Sequence, residues 1–407
     1  MEREIEETIR NLTAPLLYDF SKFVLETANG CKIKRVYFLA RDGYEPYIFS
    51  YRIAKEFRIP VECRYLFASR LAWRLASYSL MPKEQTLDLI FAPSQDLTPA
   101  LVFERIKASP SEYGLLMDGS EFEKDRILNR NELEKLRNRV ENSNLFWKIV
   151  EKKSEEALEN TLKYFEQEGL FEGPFAICDT GWAGTMQNCL ELLLHERDVK
   201  YSVYGIYFGL YKCPKKTTGV NAYYFLPTKN FFRKAKFNNN LLESMFVSPH
   251  GMTQGYKELN GKIVPVLKQE KSEWFLQDHA ILQSWLRENI EADIDNRAKI
   301  RKSLLRTMYK PKRENLICFQ RYRFSDDPSE SHRESLVKKL SKEEAAHFLF
   351  FKRLQTKLGK KGRKALPKVY WLYGSIEASD LKHKYWYRWN NLAWEMLRLA
   401  KIRIRNS

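Results

Sequence analysis

Short apolar runs that stop abruptly at polar turns constrain this chain more than any other feature. Arg35–Ala40 (RVYFLA), Pro174–Cys178 (PFAIC) and Val203–Leu210 (VYGIYFGL) are each of strand length and nearly uninterrupted. A continuous apolar run of that length suits a parallel strand buried on both faces, because a strand with one wet face would alternate. After the first run come the turn Arg41-Asp42-Gly43, a helical stretch from about Glu45 to Phe57, and a second strand over Val61–Ala68 (VECRYLFA). That order is a β-turn-α-β unit, the start of an open, mainly parallel α/β sheet.

The remaining segments are helical or irregular. Residues 1–30 place Ile5, Ile9, Leu12, Leu16, Leu17, Phe20, Phe23 and Val24 at helical spacing before Asn29-Gly30 stops the pattern. The expected organisation is a first part of the α/β core over 1–81 and a charged helical insertion or cap over 82–168. A second part of the core with loops follows over 169–268, then a helical, basic C-terminal region over 269–407. Residues 213–268 read as loop-rich, including the glycine-containing stretch HGMTQGYKELNG, whose Gly251–Gly255 segment is either a closing loop or a hairpin turn.

Composition narrows the function classes. Of 407 residues, 44% are hydrophobic and 30% charged, which excludes a disordered or collagen-like chain. No apolar run is long enough to span a bilayer, and the charged start MEREIEETIR resembles neither a signal nor a transit peptide. A cytoplasmic protein is expected, and six scattered cysteines without a CxxC pair fit a reducing compartment. The dispersed histidines and cysteines argue against a zinc site. The net charge of +17 calls for an anionic partner. It is unevenly spread: from Lys352 onward there are fifteen Lys/Arg and three acids, a balance of +12 that leaves only +5 for the body.

In open α/β sheets ligands bind beyond the carboxyl ends of the strands. Three such ends are polar here: Ala40–Gly43 (ARDG), Ala68–Arg70 (ASR) and Asp179–Thr185 (DTGWAGT). In the third, an acid closes a buried strand, Gly181 and Gly184 allow a tight turn, and a helix starts near Thr185. Backbone N–H groups there can cradle a phosphate, with Thr180 or Thr185 adding a hydroxyl. The bland alternative is a capped strand-to-helix turn. Asp179 suits sugar hydroxyls or a metal better than a phosphate, and Trp182 either stacks on a sugar or wedges the loop against the core. Spacing excludes a Walker loop, a dinucleotide fingerprint and an aspartyl-phosphate enzyme, since no Lys follows Gly184, three glycines are lacking, and Gly181 stands where a second Asp is needed.

Together these segments resemble phosphoribosyltransferases. ARDGYEPYIFSYRIAKEF looks like the loop and helix that take the pyrophosphate of phosphoribosyl pyrophosphate. ASR resembles the second strand end, where Ser69 and the basic Arg70 meet the same group. CDTGWAGT is similar to the loop that holds the ribose and its 5-phosphate, which implicates Asp179, Thr180, Gly181, Trp182, Ala183, Gly184 and Thr185. FLARDG, YLFASR, DTGWAGTMQ and LLESMF, over roughly residues 10–260, resemble more closely a bacterial polysaccharide-biosynthesis family that adds ribofuranose to glycans. The resemblance implies an α/β sheet of phosphoribosyltransferase type, transfer of 5-phosphoribose to a glycan hydroxyl, and a separate phosphatase of the haloacid dehalogenase type that removes the phosphate.

The chemistry of such a transfer sets the roles. Displacing pyrophosphate from C1 builds negative charge that Mg²⁺, arginines or backbone N–H groups must meet. Arg41 and Arg70 are the arginine candidates, Gly43 permits close backbone approach, and Asp179 is the candidate Mg²⁺ ligand. Asp42 is the first choice as general base, with Mg²⁺ binding and helix capping as its other readings. Glu243, in LLESMF, is the second choice, against a purely structural acid. The tail KHKYWYRWNNLAWEMLRLAKIRIRNS mixes Lys/Arg with Trp386, Trp389, Trp394, Leu397 and Ile402. It fits peripheral contact with an anionic membrane, where a lipid-linked glycan acceptor would be found, or a helix packed on the body. The absence of a recognisable nucleic-acid module argues against nucleic acid. A conventional nucleotide-sugar glycosyltransferase and a basic nucleic-acid-binding or scaffold protein are the alternatives.

Overall fold

The apolar runs become strands β1 (Arg35–Leu39), β2 (Glu62–Leu66), β3 (Ala176–Trp182) and β4 (Tyr204–Leu210), joined by β5 (Gly219–Phe225). All pair in parallel, in the order β2-β1-β3-β4-β5. The structure, a computed structural model, describes residues 2–92, 97–214, 219–246, 248–269, 274–292, 296–325, 333–358 and 367–406.

Both faces of the sheet are covered, which is why the strands are apolar throughout. Val36, Phe38, Cys178, Ile206 and Phe208 point to one side, and Tyr37, Leu39, Ile177 and Tyr207 to the other. This is the two-residue alternation of a pleated strand with a core on each side. The first side receives the Ala14–Gly30 and Tyr44–Glu56 helices together with Leu282, Leu286, Leu304, Phe319 and Trp371 from the C-terminal region. That region therefore supplies a layer of the main core. The second side receives Trp73, Tyr164, Phe165, Leu190 and Leu193.

Between β2 and β3 the chain is helical, from Arg70–Ser77 to Asn144–Gln167. Leu87, Val102, Phe103, Leu136 and Phe146 form a separate cluster there, while the later part of the Asn144–Gln167 helix returns to the sheet through Tyr164 and Phe165.

Two expectations are corrected. β3 does not end at Cys178: it stays paired with β4 through Trp182↔Leu210, so Asp179 to Trp182 belong to the strand. Residues 213–268 are more regular than their composition implied. They contain β5, the Asn239–Met245 helix and an antiparallel hairpin of β6 (Thr253–Leu259) and β7 (Lys262–Leu267). The hairpin turn is Asn260-Gly261, with φ 52° and 73°, the two-residue turn whose handedness matches strand twist. Gly251–Gly255 is thus not that turn; Gly255 lies within β6, at its register shift.

The basic C-terminal helix, Lys384–Asn406, buries Leu399 against Phe231 and Ala235 while leaving Trp386 and Trp389 exposed. No helix among the described residues is long and apolar enough to cross a membrane.

Trp371 braces the C-terminal layer from within, with no exposed surface and its indole N–H donating to the Met308 carbonyl at 3.0 Å. Trp371→Ala is expected to destabilise the protein by about 3–5 kcal/mol, read from urea unfolding.

Candidate functional site

The strand order creates the site. The chain leaves β1 toward β2 on one side and returns as β3 on the other, so the crevice between the ends of β1 and β3 is a topological switch point. The β1–β3 ladder stops at Phe38↔Cys178, whereas β3 continues along β4. Beyond that last pair the two chains part, and the polar segments line the gap.

On the β1 side, Ala40–Gly43 forms a tight turn in which the Gly43 N–H donates to the Leu39 carbonyl and that of Tyr44 to Arg41, both at 2.9 Å. The Ala40–Arg41 peptide is cis. A Cβ on Gly43 would collide with the Leu39 carbonyl oxygen, so this glycine serves the turn itself. Arg41 and Asp42 face the cavity.

At the end of β2, the Ser69 hydroxyl caps the Arg70–Ser77 helix, accepting from the Ala72 N–H at 2.9 Å. It also donates to the Thr253 carbonyl at 2.5 Å, fastening β6 over this strand end. The fastening is reinforced by the Trp73 indole donating to the Tyr256 hydroxyl (2.9 Å), which donates to the Phe67 carbonyl (2.6 Å). Arg70, the next residue, lines the cavity.

On β3, the Asp179 carboxylate accepts from the backbone N–H groups of Thr180 and Gly181. The Thr180 hydroxyl donates to Asp42 Oδ2 at 2.9 Å, bridging the two strand ends. Gly181 has φ +102°, and a Cβ there would lie 2.6 Å from the Gly209 carbonyl oxygen. Trp182 resolves into the wedge: its ring stacks near Phe225 (6.3 Å between centroids) and packs on Phe237 (5.4 Å). Its indole N–H donates to Glu243 Oε1 at 2.5 Å. Gly184 precedes the Thr185–His195 helix in a left-handed conformation.

The cavity therefore gathers Arg41, Asp42, Ser69, Arg70, Asp179, Thr180, Gly181, Trp182, Ala183, Thr185 and Glu243; Gly43 and Gly184 shape its turns without lining it. The outer part adds residues that local sequence did not single out: Ser244, Ser248, Trp274, Tyr322, Phe324, Arg323 and Arg333. Arg323, on β8 (Arg323–Phe324), and Arg333, just before β9 (Glu334–Ser335), are brought there by a short antiparallel pairing. Four arginines thus surround three carboxylates. Tyr211 and Met252 line the inner part.

The carboxylates influence one another. Burial, and then the charge of Asp42, push Asp179 up to about 7, against its backbone N–H donors and Arg70. Burial and Asp42 likewise push Glu243 up to about 8, opposed by Arg70, the Trp182 N–H and Arg41. The arginines around them offset only part of what burial does to Asp179 and Glu243. Among the described residues no group of three His, Cys, Asp or Glu side chains forms a metal cage. The donors fit a Mg²⁺ ion held by one or two carboxylates and completed by substrate oxygens and water, the usual arrangement for that ion. The chain matches no protein-family model and no curated protein.

A carboxyl raised in the folded state holds a proton that the unfolded chain has already lost, so stability falls as pH rises from the unfolded value through the folded one. For Glu243 the window runs from its ordinary 4.5 to about 8. Gln at this position keeps an acceptor for Trp182 and carries no charge. Glu243→Gln is therefore expected to match the parent Tm at low pH and exceed it above that window, measured by thermal melts across pH.

Proposed function

We propose that the protein is a phosphoribosyltransferase, with a sheet of that enzyme class, that moves 5-phosphoribose from phosphoribosyl pyrophosphate to a sugar hydroxyl of a growing bacterial surface polysaccharide. The observation that carries this reading is the convergence of ARDG, ASR, DTGWAGT and Glu243 on one crevice, with Arg41 and Arg70 beside Asp42 and Asp179. A multiply charged leaving group needs that cationic pair, and a ribose needs hydroxyl partners next to it.

In this reading the C1–O bond to pyrophosphate breaks as a bond forms from C1 to the acceptor oxygen, and direct displacement inverts C1. Arg41 and Arg70 take the leaving pyrophosphate. Asp179 receives the ribose hydroxyls, and Thr180, Thr185 and the start of the Thr185–His195 helix receive the 5-phosphate. The acceptor proton passes to Glu243 or Asp42. Glu243 is the better matched, because an acid raised to about 8 can both take and return a proton near neutrality. Asp42, held by Thr180, then orients the reacting groups. Mg²⁺, when bound, supplies charge to the pyrophosphate oxygens. The product keeps its 5-phosphate, so a separate phosphatase must act next. A cytoplasmic setting suits the donor.

Release of pyrophosphate from phosphoribosyl pyrophosphate with Mg²⁺ and a glycan acceptor tests the reading. Arg41→Ala and Asp179→Asn are each expected to lower turnover by about 10²-fold or more with the fold retained. Unchanged turnover in both would remove this site from the reaction. Thermal stabilisation by a nucleotide sugar alone would replace the reading with a conventional glycosyltransferase. Salt-sensitive oligonucleotide binding that survives Asp179→Asn would replace it with a binding protein.

A further inference from the structure

The C-terminal helix Lys384–Asn406 holds the fold with one side and leaves another uncovered. Leu399 is fully buried, with Leu392 and Ile402 beside it. Its one acid, Glu395, is paired with Arg398 at 2.7 Å. At about 100° per residue, Tyr385, Trp386, Trp389, Met396, Leu397 and Ile404 fall within one sector roughly 120° wide and about 28 Å long. All are exposed, from 36% at Leu397 to 74% at Ile404. Trp386 and Trp389 stack in this sector with their rings 12° from parallel. Arg403 edges the sector on one side, Lys401 lies just beyond the other, and Lys382 precedes the helix; all three are exposed.

We propose that this face docks on an anionic lipid surface, with the helix lying in the plane of the headgroups. Amphipathic indoles settle at the boundary between headgroups and acyl chains, aliphatic side chains enter the apolar edge, and flanking cations meet anionic lipid. The excess of +12 in the last fifty-six residues gives the charge complementarity. A second copy of this chain is a poorer occupant, because a two-fold contact would bring each basic flank against its own copy. The docking rests on the helix alone and not on phosphoribosyl transfer. If that reading of the cavity also holds, the placement is useful: Tyr211 packs against the cluster that Leu399 joins and lines the cavity. A lipid-linked glycan would then meet the site at the membrane.

Vesicle flotation of the full chain tests the proposal. Vesicles of phosphatidylcholine with about 30% phosphatidylglycerol are expected to bind it, phosphatidylcholine alone to bind far less, and about 0.5 M NaCl to weaken the binding. Trp386→Ser/Trp389→Ser is expected to lower partition about tenfold or more, and Lys382→Glu/Lys401→Glu to lower it selectively on the anionic vesicles. These positions are on the surface, so the melting temperature should not move. Equal partition of the parent and the Trp variant would overturn the proposal. So would equal binding to both vesicle types, or a Trp-dependent dimer without vesicle binding. None of these outcomes depends on pyrophosphate release.

Discussion

The parallel pairing of β1 with β3 is the contact on which the site depends. Its three residue pairs, Val36↔Ala176, Tyr37↔Ile177 and Phe38↔Cys178, join segments separated by the whole helical insertion. Because the ladder ends there while β3 stays on β4 through Trp182, the next residues of both chains must diverge. Peptide groups that diverge at the end of a buried ladder need new partners. The Asp179 carboxylate, accepting from backbone N–H groups, and the Gly43 turn supply them, and the Thr180 hydroxyl on Asp42 joins the two strand ends. The crevice is a consequence of unequal ladder lengths, and the polar side chains line it at the carboxyl ends of the strands.

Three carboxyl groups in that crevice are costly without compensation, and burial decides how they respond. Asp179 and Glu243 both rise toward neutrality, with Asp42 adding to the burial of each. Arg70 opposes both shifts and Arg41 opposes that of Glu243. Folding leaves an acid cluster inside an arginine rim, so the cavity presents cationic groups to an anionic ligand beside acids that burial has pushed up. The Trp182–Glu243 hydrogen bond fixes the acid from the Asn239–Met245 helix against β3. This acid is thereby set by a residue that also packs on Phe225 and Phe237.

Much of this arrangement was legible in local sequence because its causes are local. Doubly buried strands must be apolar, so RVYFLA, PFAIC and VYGIYFGL stand out. The turns after them must be polar and tight, so ARDG and DTGWAGT stand out as well. β3 was read too short because Asp179, Thr180 and Gly181 look like a loop. What keeps them in the strand is β4, with Asp179↔Tyr207 and Gly181↔Gly209, a non-local partner. β5 and the β6–β7 hairpin were hidden by glycine, asparagine and lysine, although Asn260-Gly261 between apolar-containing arms was an available turn signal. Arg323, Arg333, Trp274 and Tyr322 had no local signature at all. They reach the cavity through packing of the C-terminal layer, and Phe319, Tyr322 and Trp371 in the main core show how firmly that layer is held.

That layer also changes what the charge distribution means. Read as a string, the excess of cations near the end is a tail apart from a nearly neutral body. In the fold the C-terminal region does three things at different depths. Its apolar residues close one face of the sheet, its β8–β9 arginines complete the rim of the cavity, and its last helix carries an uncovered apolar face between cations. The basic residues therefore divide by location. Arg323 and Arg333 belong with Arg41 and Arg70 around the acid cluster, and Lys401 and Arg403 belong to the surface of the last helix. Tyr211 is the point where the two meet, packed on the Phe231, Ala235 and Leu399 cluster at one side and lining the cavity at the other. The cluster that seats the last helix thus reaches the wall of the cavity through that tyrosine.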